Sequence, residues 1–190
     1  MALPSVLADT NVCYSITVLD LVLRLDEHDV HKVIWTEDLL KELEETWVEN
    51  GVRPREGARK VCDDIRSAFI DQEVPRGVYE HLIDSMPGAD SDDHLHSAAA
   101  AAVAPATIIT HNLRDFPVNQ LAGLGVTVLH PDEYLLGVLA TDCSEVIDVI
   151  SAMVKDRTNP PVGAADVLNL LRGAGLPRFA EAVEALVRLG

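Results

Sequence analysis

Short apolar runs and helical apolar stripes alternate through most of this chain. Ser5-Val6-Leu7-Ala8 has the length and composition of a buried strand, and it ends at Asp9. Over residues 15–25 the apolar positions Ile16, Leu19, Val22 and Leu23 recur at helical spacing. Val33-Ile34-Trp35 predicts a second short strand. Thr36 then predicts an N-cap, with Glu37 and Asp38 placed favourably for the helix dipole. The helix that follows buries Leu39, Leu40, Leu43 and Trp47, and Asn50-Gly51 stops it. Residues 52–69 carry Arg53, Arg55, Arg59, Lys60 and Arg66, mostly on another helix after Pro54, and residues 69–74 have weak strand character. A turn is predicted at Gly88-Ala89-Asp90-Ser91, then an alanine-rich helix over 93–104. Strands at 106–110 and 126–129 follow, separated by a loop and a short helical turn near 120–124.

Strands alternating with helices predict an α/β fold with a parallel sheet, whose ligands bind outside the carboxyl ends of the strands. Asp9 and the 110–115 loop both fall at such ends. After His130-Pro131 the pattern becomes purely helical, over 133–139, 144–154, 164–171 and 178–189, with breaks at Asn159-Pro160-Pro161 and 173–177. The expected organisation is one domain over 1–137 and a helical extension over 138–190.

Composition narrows the class. Hydrophobic residues are 48% and charged residues 24%, so a core is available and global disorder is excluded. Aromatics are only 4%, so that core is built mainly of Leu, Val, Ile and Ala. No basic leader and no apolar run of the ~18 residues a membrane span needs is visible, so the expected location is cytoplasmic, without membrane contact. Cys13, Cys62 and Cys143 lack metal spacing and are expected as buried thiols of a reducing compartment. A net charge of −16 argues against a general nucleic-acid coat protein, but not against an enzyme whose metal supplies local positive charge.

The candidate chemistry lies in four acids: Asp9, Glu42, Asp93 and Asp115. Carboxylates brought together by the fold repel one another unless a cation neutralises them, which points to a divalent metal site. Each acid also has an ordinary reading. Asp9 suits an N-cap, Asp115 a turn before Phe116-Pro117, and Glu42 a solvated helix charge. On a helical wheel Glu44 lies slightly nearer the apolar stripe than Glu42, and Asp90, Asp92 and Asp93 compete for one position. His94 and His96 face different sides of their helix and are expected at the surface, not as zinc ligands. Of the basic residues, Arg114 is the candidate for guiding a phosphate; the others are expected to be solvated.

The wording around these acids resembles the PIN-domain nucleases, and among them the VapC-like toxins of bacterial toxin–antitoxin pairs. Asp9-Thr10-Asn11 closes the first strand, Glu42-Leu43 lies on the helix after Trp35, Asp93 leads into the alanines, and Thr110-His111-Asn112-Leu113-Arg114-Asp115-Phe116 follows a strand. The order and spacing agree over roughly residues 5–135. The resemblance implies a three-layer α/β/α domain with a short parallel sheet. It also implies a Mg²⁺- or Mn²⁺-dependent endoribonuclease, with Asp9, Glu42, Asp93 and Asp115 as catalytic metal ligands and Thr110 and Asn112 supporting them. It selects Glu42 over Glu44 and Asp93 over its neighbours. It further implies an RNA substrate, an antitoxin partner and a homodimer. The alternatives are a silent PIN-like protein-binding module, or a structure-specific DNA- or RNA-processing nuclease.

Overall fold

The computed structural model describes residues 3–88, 91–158 and 161–189. Its centre is β1 (Ser5–Ala8), flanked by β2 (Lys32–Val33) and β3 (Ala106–Ile109), with β4 (Val126–Leu129) outside β3. All pairings are parallel, in the order β2-β1-β3-β4. Successive residues Val6, Leu7 and Ala8 are buried, as are Ile108 and Ile109. Neighbouring side chains on a strand point to opposite faces, so both faces of the sheet are covered, as in a three-layer α/β fold.

The predicted helices form with small shifts in their ends. After α1 (Thr10–Cys13), α2 (Ile16–Glu27) is capped by Ser15. The Thr36 hydroxyl caps α3 (Glu37–Glu49) by accepting from the Leu39 amide at 3.1 Å, and Asn50-Gly51 ends it, with Gly51 at φ 66°. α4 (Arg55–Ala68) carries the basic residues on an exposed face, where Arg55, Arg59, Lys60 and Arg66 pair with Glu44, Asp63, Asp64 and Glu37. Then come α5 (Arg76–Tyr79), α6 (Asp92–Ala102) and α7 (Val118–Ala122).

The second strand is shorter than its apolar run. Ile34 still donates to Val6, but Trp35 leaves the sheet to pair with Glu73 in an isolated parallel bridge. That bridge is the weak strand signal of residues 69–74, which otherwise form a 3₁₀ turn at Ile70–Gln72. Ala89 and Asp90 of the expected turn, and Asn159 and Pro160 of the expected break, lie outside the described residues.

The extension consists of α8 (Pro131–Thr141), α9 (Cys143–Asp156), α10 (Ala164–Gly173) and α11 (Pro177–Leu189). α8 packs on α11, while α9 and α10 pack on α2. Asp132 is buried and accepts from the Phe179 and Arg178 amides at 2.8 and 3.3 Å, so a carboxylate satisfies the first free amides of α11. Of the cysteines, Cys13 and Cys62 are buried as expected; Cys143 is exposed, because it opens α9 on the solvent side. Among the described residues no helix is long and apolar enough to cross a membrane.

His31 joins the two parts. It is fully buried, with Nε2 on the Val22 carbonyl and Nδ1 on the Tyr134 hydroxyl, both at 2.9 Å. Nε2 donates to the Val22 carbonyl, and in the neutral ring Nδ1 accepts from the Tyr134 hydroxyl. Burial holds its pKa below the ordinary 6.5, although the Val22 bond and Asp26 act the other way. Below that value the unfolded chain takes up the proton first, so the stabilisation is complete above it and is lost as pH falls through the lower folded value. Urea unfolding should therefore weaken with acid more steeply in the natural chain than in His31→Gln. Equal slopes between pH 7.5 and 5.5 would contradict this.

Candidate active site

Asp9 stands where β1 ends and α1 begins. Its amide donates to the Ile109 carbonyl, continuing the β1–β3 ladder by one step. Its carboxylate is bonded on both oxygens. Oδ1 accepts from the Thr10 backbone amide at 2.7 Å; Oδ2 accepts from the Thr110 hydroxyl at 2.7 Å and the Asn11 side-chain Nδ2 at 2.5 Å. Asp9 is 4% exposed, so these bonds fix its direction.

Thr110 is the hub of that arrangement. Fully buried, its hydroxyl donates to Asp9 and accepts from the Asn11 side chain and the Asn112 amide, each at 3.0 Å. One donor and two lone pairs are all used. Asn11 Oδ1 in turn accepts from the His111 amide at 3.0 Å. Asn112 donates through its side chain to Asp115 Oδ2.

Glu42 comes from α3 and Asp93 from α6. With Asp9, Thr10, Asn11, Tyr14 and Thr46 they border an open cleft of about 360 Å³. Glu44 turns away and pairs with Arg55 at 3.7 Å. The structure thus brings Asp9, Glu42 and Asp93 to one cleft. Asp115 is outside its lining, in the 110–117 loop, and Arg114 is exposed beside it. Asp90 and the side chain of Asp92 lie outside the described residues. Among the described residues no three of His, Cys, Asp and Glu stand as a group that would hold an ion directly.

His96 corrects an expectation. It is 2% exposed, with Nε2 at 3.2 Å from Glu42 Oε2 and 3.7 Å from Asp9 Oδ1. Burial opposes charge on the ring, but the Glu42 bond and the charges of Asp9, Glu42 and Asp93 outweigh it, and its pKa is raised. The spacing carries the signal: His96 lies three residues after Asp93, on the same helix face. Cys13, behind Asp9, is no nucleophile, since burial and the Asp9 charge push its thiol far up.

Residues 131–185 match the family model of the VapC50 C-terminal domain. A Mycobacterium tuberculosis (strain ATCC 25618 / H37Rv) protein named "Putative ribonuclease VapC50" is 33% identical over 112 residues, 59% of this chain and 65% of that protein. The match therefore covers slightly less than two thirds of the relative. No solved structure matches significantly. Residues 131–185 thus resemble the VapC50 C-terminal domain, and the four-stranded parallel sheet is consistent with a PIN-like α/β fold.

Proposed function

We propose that this chain is a divalent-metal-dependent endoribonuclease and the toxin of a toxin–antitoxin pair. One observation carries the reading: carboxylates from three separate elements, Asp9, Glu42 and Asp93, border one cleft beside the carboxyl end of β1. The name of the mycobacterial relative supports it.

The donor set suits Mg²⁺ or Mn²⁺, hard cations that take oxygen ligands. Mg²⁺ binds one or two carboxylates and keeps several waters, so these acids can hold it without enclosing it. Asp9, Glu42 and Asp93 would hold the ion, directly or through water, with Asp115 contributing from its loop. When bound, it lowers the pKa of water and offsets charge on the attacked phosphate and leaving oxygen.

The chain's own groups orient the site. Thr110 and Asn11 hold Asp9, Asn112 holds Asp115, and His96 holds Glu42. Arg114 would meet a phosphate. At a net charge of −16 the protein offers RNA little general attraction, so binding depends on the site. Cleavage leaves a 5′-phosphate and a 3′-hydroxyl. An antitoxin segment bearing Arg or Lys would silence the acids by charge-assisted pairing. Residues 1–137 form the nuclease domain and 138–190 its extension, in a cytoplasmic homodimer.

Purified chain incubated with RNA and single-stranded DNA should cut only RNA, and only with Mg²⁺ or Mn²⁺. Equal cutting in EDTA would contradict the reading, as would intact RNA across a broad panel despite bound metal. Within the same assay Glu42→Gln should lower the rate about 10–100-fold, the range for disturbing a metal's supporting groups. Glu44→Gln, losing only a weak pair with a largely exposed Arg55, should stay near the natural rate. The reverse ranking would place the wrong face of α3 in the site.

A further inference from the structure

Beyond the acids, two imidazoles connect the site loop to the C-terminal helices. β3 and β4 pair with Ile109 opposite Leu129, so the residues just past their ends, His111 and His130, emerge side by side. His111 Nδ1 lies 3.2 Å from His130 Nε2, and the rings meet edge to face. His130 Nδ1 accepts from the Asp132 amide at 3.2 Å, capping α8. An amide can only donate, so His130 Nδ1 carries no proton. A neutral His130 then has its proton on Nε2 and donates it to His111 Nδ1.

The chain of bonds continues in both directions. Toward the site, the His111 amide donates to Asn11, which bonds Asp9 Oδ2. Toward the extension, Asp132 holds the start of α11 through the Phe179 and Arg178 amides. The turn between α10 and α11 also closes over His111. A Cβ on Gly175 would stand 2.7 Å from His111 Cε1, and Gly175 has φ +88°, a conformation that disfavours any other residue. Burial, and after it the neighbouring His130, lower the pKa of His111, with Asp9 acting the other way.

We propose that the helical extension is a working part of the acid site: His130 and the Gly175 turn clamp His111, and so fix the 110–112 loop that orients Asp9. His111 and His130 are positioning residues, acting through Asn11 and Thr110. The inference rests on the ribonuclease reading for its catalytic consequence, but its structural content is measurable without metal or RNA.

The test is amide hydrogen exchange on the full chain, comparing the natural protein with His130→Ala, His130→Gln, Gly175→Ala and Gly173→Ala. Gly173 sits on α10 with nothing near its Cβ position, so its variant controls for altering the same helical hairpin. The expected result is faster exchange at the His111 and Asn112 amides in His130→Ala and Gly175→Ala. Gly173→Ala should show no change. His130→Gln, which can still donate toward His111, should keep protection at both amides, including where His130→Ala fails to fold. RNA cleavage should fall about 10–100-fold in His130→Ala, in kcat with KM retained, and recover in His130→Gln. Native exchange at both amides in folded His130→Ala and Gly175→Ala would overturn the clamp. Lost protection in an otherwise native His130→Gln would also overturn it. An inactive natural chain with the expected exchange pattern would instead remove the ribonuclease reading and leave the clamp standing.

Discussion

Asp9→Asn is expected to lower metal-dependent RNA cleavage by at least ~100-fold, beyond the usual effect of supporting groups around a metal, while leaving a folded protein. The side chain keeps its shape and one oxygen. What disappears is a charge and one acceptor. Oδ2 now receives the Thr110 hydroxyl and the Asn11 amide together. An amide nitrogen there would forfeit both, so the Asn oxygen takes that place and its nitrogen faces the Thr10 amide donor to donor. One bond is lost, with a stability decrease of about 1–3 kcal/mol. Initial rates with Mn²⁺, set beside urea unfolding, separate the two effects. An unchanged rate would remove Asp9 from the site. An unfolded variant would make its bonds structural before they are catalytic.

The second large effect is on stability. Trp47→Ala should destabilise the fold by about 3–5 kcal/mol, the usual range for emptying a large aromatic from a core. Trp47 is fully buried on α3, its Nε1 donates to the Tyr14 carbonyl at 2.9 Å, and Arg53 lies over its ring. Tyr14 borders the acid cleft, so the indole supports a wall of the site as well as the core. Trp47→Phe should be milder, since it retains most of the apolar volume and forfeits mainly the bond to Tyr14. Urea midpoints measure both. A loss below ~1 kcal/mol in Trp47→Ala would mean that α3 is not anchored through this residue.

Local signals were enough for much of the fold. The strands at residues 5–8 and 126–129, the Thr36 cap and the Asn50-Gly51 stop are all set by nearest neighbours in the chain, so composition and spacing reveal them. Trp35 is different. Its partner Glu73 is distant in sequence, and only the tertiary fold shows that the chain leaves the sheet there. The same limit governs the site. Glu42 and Glu44 flank one apolar stripe, and a wheel cannot tell that α6 approaches one of them and Arg55 the other. His111 and His130 meet because β3 and β4 are parallel and in register, which no motif encodes. Asp9 and the Thr110–Asn112 stretch were legible because each closes a strand, and strand ends of a parallel sheet converge.

If Asp9, Glu42 and Asp93 border a site for a divalent cation, the ion binds between them. The most direct measurement is the anomalous scattering of Mn²⁺ in crystals of the natural chain and of Asp9→Asn, soaked identically. A peak is expected in the cleft between these three carboxylates in the natural protein, and none in the variant. A cleft without Mn²⁺ at saturating concentration, or a peak that survives Asp9→Asn unchanged, would contradict it.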